Sequence, residues 1–194
     1  PGGGASLLCC QRGFCKCPQY FCGEKCDRLG ERDLEAAEQQ DTGKNKTERN
    51  IKMAIKEYSR ARDGEKKLSP SFRVREFACN DGSDPVMIDE ELVVVLQCIR
   101  EHFGKPLHIT SGYRTGSYNA RPDVNGSKTS QHLLGRAADF WVEGVTIAAV
   151  ADYAEKLLPE RGGIGRYPKD KAHPKRKTGW VHVDTRPKKS RWTL

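Results

Sequence analysis

Chemistry-bearing side chains concentrate in Ser130-Gln131-His132-Leu133-Leu134-Gly135-Arg136-Ala137-Ala138-Asp139, which places an imidazole and, seven residues later, a carboxylate among small residues. About forty residues further on, Trp180-Val181-His182-Val183-Asp184 supplies a second imidazole. Two histidines and one carboxylate are the three-ligand set with which catalytic zinc sites leave a fourth position open. The pattern therefore indicates a zinc site built from His132, Asp139 and His182.

The local sequence predicts how this segment folds. Seven residues exceed one helical turn, so we expect the chain between His132 and Asp139 to bend or to run as a loop into a strand. Gly135 and Ala137 allow backbone and side chains to approach closely around a site. The apolar residues 140–142 that follow Asp139 predict a buried strand that holds the carboxylate rigidly.

Two helices are predicted on either side of this segment. Asp89 is expected to cap a helix whose apolar residues recur at helical spacing as far as Phe103, and Gly104 ends it. Cys98 lies on this helix and is predicted to be a small buried side chain. Thr146 is expected to cap a second helix that ends before Pro159.

Strands are predicted at residues 106–110, 139–142, 162–165 and 180–184. Helices and strands do not alternate in a regular βαβ repeat, which argues against a doubly wound sheet. We therefore predict an α+β fold, with a small mixed or antiparallel sheet and flanking helices that carry the zinc site. A Cys-rich, charged N-terminal extension precedes it.

The chain is expected to have three parts, at residues 1–30, 31–68 and 69–194. The first contains Cys9, Cys10, Cys15, Cys17, Cys22 and Cys26, which are compatible with a structural metal, with disulfides, or with a segment that is not ordered. The second is rich in charged residues and is predicted to be a linker with a short helix at about residues 47–62. The third is predicted to be the zinc domain.

The positive charge of the chain favours anionic partners. The formal net charge is +8 and the isoelectric point is about 9.1, compatible with nucleic acid, with an anionic bacterial wall, or with a solvated basic surface. No recognised nucleic-acid-binding motif is present, so we do not expect a nucleic-acid partner. The sequence contains no apolar run near the length of a membrane span and no visible signal peptide.

At residues 130–139 the sequence resembles the zinc D-Ala-D-Ala metallopeptidases, a group that also includes phage endolysin peptidases and the hedgehog signalling fold. The family motif Ser-x-His-x-x-Gly-x-Ala-x-Asp is matched by Ser130, His132, Gly135, Ala137 and Asp139. His182 matches the downstream histidine, and Ser111-Gly112-Tyr113-Arg114 resembles the Ser-Gly-Tyr-Arg segment of the family. The resemblance covers roughly residues 69–194.

The resemblance implies a function and the residues that perform it. His132, Asp139 and His182 are expected to bind Zn²⁺. Arg114 is expected to pair with a substrate carboxylate or with the developing oxyanion, and Ser130 to help hold the substrate. The implied reaction is hydrolysis of peptidoglycan stem peptides or cross-links, by a carboxypeptidase or an endopeptidase. Such an enzyme acts on the bacterial wall, as a periplasmic or extracellular remodelling enzyme or as a phage lysin released at lysis.

The sequence departs from the family at one position. Many members place an acidic general base three residues before the second zinc histidine, where this chain has Gly179. Asp184 shares a strand face with His182, so we predict a catalytic contribution from Asp184, with orientation of His182 as the alternative role. The missing base also leaves open a different function, a zinc-containing binding module without activity. The retained Arg114 argues for the enzyme.

Overall fold

The structure is a computed structural model, and it describes residues 54–169 and 179–194. These residues belong to one compact unit of the chain. The Cys-rich segment 1–30, the linker as far as residue 53 and the basic loop 170–178 lie outside the described residues. The predictions made for the six N-terminal cysteines therefore stay predictions.

The described residues form two small sheets and a few helices. The strands are β1 (Ile55–Ser59), β2 (Pro85–Asp89), β3 (Leu107–Ser111), β4 (Ala137–Val142), β5 (Gly163–Tyr167), β6 (Trp180–Asp184) and β7 (Ser190–Thr193). The helices are α1 (Arg60–Asp63), α2 (Glu90–Phe103), α3 (Gly116–Asn119) and α4 (Ile147–Leu157), with single 3₁₀ turns at Val74–Phe77 and Gln131–Leu134. The predicted α+β class is confirmed.

The larger sheet has the strand order β3-β4-β6-β5-β7. Its pairs are antiparallel except β5 with β7, which are parallel, so the sheet is small and mixed as predicted. Helix α4 packs on β5 and β6, and α2 packs on α4 and β4. The core lies between these helices and the sheet, where Phe140, Val181 and Val183 are fully buried.

Both predicted helices are confirmed, with the caps that the sequence indicated. The Asp89 side chain accepts a hydrogen bond from the Glu91 amide, and Gly104 ends α2 in the left-handed conformation, at φ 60°. The Thr146 hydroxyl accepts a hydrogen bond from the Ala149 amide at the start of α4. Cys98 is buried on α2, as expected from its apolar neighbours.

The helix predicted over residues 47–62 is wrong for residues 55–59, which form strand β1. This strand pairs antiparallel with β2, and among residues 54–63, where the description of the chain begins, only residues 60–63 are helical. The main-chain hydrogen bonds to β2, with an ion pair between Lys56 and Glu90, outweigh a short apolar stripe of weak helical preference. The domain boundary expected near residue 69 therefore lies inside the folded unit, and residues 55–68 belong to it.

The candidate metal ligands are positioned by a tight turn that leads into β4. Gly135 follows the turn at residues 131–134 with a φ of 68°, a conformation that glycine adopts readily. A Cβ added at Gly135 would lie 2.2 Å from the Met87 carbonyl oxygen, so the close approach to β2 also requires glycine.

Within the described residues, no helix is long and apolar enough to cross a membrane.

Candidate metal centre and cleft

His132, Asp139 and His182 meet in one cluster. One potential ligand atom from each residue lies within 4.8 Å of the other two. The Asp139 Oδ1 atom is 2.8 Å from His182 Nδ1, and Asp139 Oδ2 is 3.3 Å from His132 Nε2. The structure thus brings together the three residues that the sequence analysis selected.

Strand register places two of these residues, and the turn before β4 places the third. Asp139 on β4 lies directly opposite His182 on the neighbouring strand β6. His132 lies in the 3₁₀ turn that precedes β4, and its ring nitrogen Nε2 is 3.3 Å from His182 Nδ1. Side chains separated by about fifty residues in sequence therefore reach one point through the pairing of β4 with β6.

Each imidazole has one nitrogen in the cluster and the other bound to a fixed acceptor. His132 Nδ1 donates to the Gly112 carbonyl oxygen at 2.7 Å, and His182 Nε2 donates to Asp184 Oδ2 at 2.9 Å. Because a carbonyl and a carboxylate only accept, both outer nitrogens carry protons, and His182 Nδ1 would give up the proton that it shares with Asp139 when a metal binds. His132 Nε2 and His182 Nδ1 are then the available ligand atoms, an arrangement typical of metal-binding histidines.

The electrostatics of the cluster favour positive charge. Burial opposes ionisation of Asp139, but the neighbouring His132 and His182 hold the pKa of its carboxyl well below the usual range. Burial lowers the pKa of His182, but hydrogen bonds and charge from Asp139 and Asp184 outweigh it and raise the pKa to about 8. The surroundings of His182 thus stabilise a cation.

The chemistry of the cluster fits zinc. Two imidazole nitrogens and one carboxylate oxygen are common catalytic zinc ligands, and three protein ligands leave a fourth position for water or substrate. All three side chains are buried, and the outer nitrogen of each histidine has a hydrogen-bond partner. A metal held here would be oriented by the protein.

Arg114 lies beside the cluster. Its Nη2 donates to Asp139 Oδ2 at 2.6 Å, and its Nε donates to the Ser111 hydroxyl at 2.8 Å. The Arg114 amide also donates to the His132 carbonyl oxygen at 3.1 Å. The guanidinium is therefore fixed at the edge of the candidate metal site, with its side chain 16% exposed.

Asp184 lies on the outer side of the His182 ring. Its side chain is 0% exposed, and it accepts hydrogen bonds from the Gly163 amide, the Arg186 amide and the Arg186 guanidinium as well as from His182. Burial opposes its ionisation, but the His182 and Arg186 hydrogen bonds hold its pKa well below the usual range. Of the two roles considered for Asp184, orientation of His182 fits these contacts.

Gly179 leaves no room for the acidic side chain that many relatives of the family carry three residues before the second histidine. A Cβ added at Gly179 would lie 2.1 Å from the Tyr167 carbonyl oxygen and 2.9 Å from the Lys169 amide nitrogen. The backbone after β5 therefore passes too close for any side chain at this position. The packing around Gly179 thus requires glycine where the family pattern has an acidic residue.

A cleft of about 900 Å³ opens over the cluster. Many of its polar lining residues lie between residues 123 and 131, and they include Ser130. Aromatic side chains that line the cleft are Tyr118, Trp141, Tyr167, Trp180 and Trp192. The Ser130 hydroxyl makes no hydrogen bond with another part of the described chain and so is available to a ligand.

Arg186 and Trp192 also line the cleft, although no sequence motif singled them out. The Trp192 ring lies 5.1 Å from the His182 ring, and the Arg186 guanidinium lies 5.7 Å from the Trp192 ring centre. Arg186 follows Asp184 by two residues, which is the only sequence signal for it. Trp192 reaches the site because β7 pairs with β5, a parallel pairing that no local pattern indicated.

The sequence of this chain matches a known protein family over more than half of its length. Residues 70–184 match a family described as Peptidase M15, a range that contains the three candidate ligands, Arg114 and Asp184. A probable peptidoglycan L,D-endopeptidase MepK of Haemophilus influenzae is 36% identical over 84 residues, which are 42% of this chain and 40% of that protein. The peptidoglycan L,D-endopeptidase MepK of Escherichia coli K12 is 35% identical over 86 residues, 43% of this chain and 42% of that protein. The chain thus aligns with less than half the length of either relative.

Proposed function

Because this chain belongs to the peptidase M15 family, we propose that it is a zinc-dependent peptidase that hydrolyses peptide bonds in peptidoglycan. The observation that carries the proposal is the buried cluster of His132, Asp139 and His182, whose potential ligand atoms lie within 4.8 Å of one another. Two relatives are named peptidoglycan endopeptidases, which supports peptidoglycan as the substrate. A basic chain with a net charge of +8 also suits an anionic wall.

His132 Nε2, Asp139 and His182 Nδ1 would hold the metal. When bound, zinc supplies Lewis acidity that polarises the scissile carbonyl and lowers the pKa of water towards about 7. The Gly112 carbonyl and the Asp184 carboxylate keep both imidazoles turned towards the cluster. This fixed orientation is the contribution of the protein to the metal site.

Arg114 is proposed to stabilise the transition state. Its guanidinium is held 2.6 Å from Asp139 and braced by Ser111, so it lies beside the candidate metal site before substrate arrives. A preorganised cation of this kind stabilises negative charge that develops on the carbonyl oxygen of the substrate. Ser130, which also lines the cleft, is proposed to hold the peptide backbone through its hydroxyl.

Asp184 is proposed to act through His182. It holds the outer nitrogen of the ring at 2.9 Å and so keeps the inner nitrogen directed at the metal. Its remaining hydrogen bonds come from Gly163 and Arg186, which anchor the carboxylate in the sheet. Asp184 is thus a positioning residue.

We favour endopeptidase activity, because the relatives are named L,D-endopeptidases. Carboxypeptidase activity is the alternative within the same chemistry. The two differ in their products, since a carboxypeptidase releases a single terminal residue and an endopeptidase releases longer fragments. Either activity serves wall remodelling or phage lysis.

One observation favours a second candidate function, a zinc-containing binding module. The packing of Gly179 against Tyr167 excludes an acidic side chain at the position where many family members carry the general base. A protein of this kind would hold zinc and bind wall peptides without cutting them. The two functions make opposite predictions for product formation.

Metal analysis combined with digestion of purified peptidoglycan tests the proposal. The full chain is expected to bind zinc and to release new peptides, and His132→Ala is expected to lose one zinc ion per chain and the peptide products. His102→Ala is the matched control, since His102 stacks on Tyr153 at the surface of α2 and α4 and does not line the cleft. Zinc without products would favour the binding module, and absence of zinc from the full chain would overturn the proposal.

A further inference from the structure

Arg186 lies in the cleft and has a fixed position. It follows β6 directly, lines the cleft and keeps 30% of its side chain exposed. Its Nε donates to Asp184 Oδ1 at 2.8 Å, and its Nη2 donates to Asp184 Oδ2 at 2.5 Å. Asp184 itself is fully buried, so this ion pair anchors the guanidinium at the wall of the cleft.

Only one edge of the Arg186 guanidinium is used by Asp184. A guanidinium is planar and carries five N–H donors, so an edge formed by Nη1 and Nη2 remains on the side away from Nε. Nη1 makes no hydrogen bond with any residue in the ranges 54–169 and 179–194. This second edge has the fork geometry that binds a carboxylate with two parallel hydrogen bonds.

Trp192 preorganises this edge. The guanidinium carbon of Arg186 lies 5.7 Å from the centre of the Trp192 ring, and Trp192 Nε1 donates to the Tyr167 hydroxyl at 2.9 Å. A Cβ added at Gly165 would lie 2.5 Å from the Trp192 ring, so the indole packs closely on Gly165 of β5. Arg186 is therefore held from two directions and loses little freedom when a ligand binds.

The charge balance of the site also favours an anion. The side chains of Asp139 and Asp184 are balanced by those of Arg114 and Arg186. A divalent cation bound at the cluster would then leave an excess of positive charge at the floor of the cleft. A ligand with a negative group near Arg186 would meet a complementary field.

We propose that Arg186 and Trp192 form a carboxylate-binding subsite that selects peptide substrates with an acidic group next to the bond that is cut. This rests on the proposed peptidase function and adds a determinant of specificity to it. The carboxylate belongs either to the C-terminus of the substrate or to an acidic side chain within it. The first source fits a carboxypeptidase and the second fits an endopeptidase.

The test uses two pairs of synthetic wall-type peptides that differ only in a carboxylate or its primary amide. One pair changes the C-terminus and the other changes the acidic side chain. The ratio of kcat/KM for carboxylate over amide, and the ratio of Kd from calorimetry, are measured for the zinc-loaded full chain and for Arg186→Gln. We expect one pair to show a preference of about 10- to 100-fold for the carboxylate, and we expect Arg186→Gln to abolish it.

Two controls separate recognition from structure. Arg166→Gln removes another arginine of the same sheet, paired with Asp152 and absent from the cleft lining, and is expected to keep the preference. Arg186→Lys keeps the positive charge but lacks the planar guanidinium, and it is expected to retain only part of the preference for the carboxylate. A purely structural role of Arg186 would lower kcat/KM equally for both members of a pair, and that result would overturn the subsite.

The failure of this subsite is distinguishable from failure of the proposed function. If the full chain cuts none of the four peptides, the peptidase proposal is wrong and the Kd ratios still report on the subsite. The carboxylate subsite would be overturned by an equal Kd for carboxylate and amide peptides in both pairs, or by a carboxylate-to-amide ratio of Kd that Arg186→Gln leaves unchanged. The pair that shows the preference identifies which carboxylate is bound.

Discussion

Asp139 and Asp184 bind the same imidazole from opposite sides, and each has an arginine partner, yet their surroundings differ. Asp139 contacts His182 Nδ1 at 2.8 Å, pairs with Arg114 and lines the cleft. Asp184 contacts His182 Nε2 at 2.9 Å, pairs with Arg186 and is 0% exposed. Both arginines thus line the cleft, but of the two carboxylates only Asp139 does so.

The difference lies in which donors the two carboxylates use. Within the described residues, the carboxylate oxygens of Asp139 accept hydrogen bonds from side chains alone, and side-chain donors can change partner without a shift of the backbone. Asp184 also accepts from the Gly163 and Arg186 backbone amides, which cannot leave without moving β5 and the end of β6. The Asp139 carboxylate is therefore exchangeable, in the sense that it can exchange side-chain donors for a metal, whereas the Asp184 carboxylate is structural because the backbone of the sheet holds it.

The largest effect is expected for Asp139→Asn. The amide keeps the shape of the side chain but removes the anionic ligand, so we expect zinc affinity to fall by more than the roughly 10- to 100-fold typical of residues that only orient ligands. Zinc content after dialysis measures it. Asp123→Asn, a change in an exposed carboxylate of the same cleft, should leave the zinc content intact, and an equal loss there would refute the assignment.

Arg114→Gln should lower activity without removing the metal. Loss of a donor to a developing oxyanion typically costs about 100- to 1000-fold in kcat. The measurement is kcat on peptidoglycan peptides together with the zinc content, with Arg166→Gln as the control outside the cleft. Equal losses of zinc and activity would mean that Arg114 acts on Asp139 and not on the substrate.

Asp184→Asn is expected to have a smaller effect on the metal than Asp139→Asn. Residues that orient a metal-bound histidine typically contribute about 10- to 100-fold to metal affinity or activity. Asp152→Asn is the matched control, because it also removes a carboxylate paired with an arginine but at an exposed site, where changes usually stay within about 0.5 kcal/mol. If Asp184→Asn abolished turnover while zinc affinity stayed normal, a direct catalytic role for Asp184 would be restored.

The smallest effect is expected for Gly163→Ala, which probes the structural carboxylate from the backbone. The added Cβ would lie 2.2 Å from Asp184 Oδ2, so the carboxylate must shift. We expect the free energy of unfolding to fall by about 1–3 kcal/mol, as for other overpacked buried sites. Denaturant unfolding measures this change in the free energy of unfolding. The control is Gly116→Ala, where an added Cβ meets nothing within 4 Å. Equal stabilities of the two variants would show that Asp184 is not held tightly.

Patterns in the sequence predicted those elements whose stability depends on residues close to one another in the chain. The caps at Asp89 and Thr146 and the helical spacing of apolar residues between Asp89 and Phe103 are confirmed, because capping and amphipathic burial depend on neighbours in sequence. Strand β1 was missed, because its stability comes from pairing with β2 and not from the residues of β1 itself. Trp192 was missed for the same reason, since β7 reaches the site by pairing with β5, and Arg186 was missed because its place in the cleft depends on its ion pair with the buried Asp184.

The sequence by itself determined the inventory of the site: two histidines and a carboxylate in a recognisable motif, with Arg114 in a second one. Only the tertiary structure decided which side of His182 each carboxylate occupies and which arginine it holds. The physical reason is that ligand type is a property of single residues, whereas burial, strand register and free hydrogen-bonding capacity arise only when β4, β5 and β6 pair. These properties separate the exchangeable Asp139 from the structural Asp184.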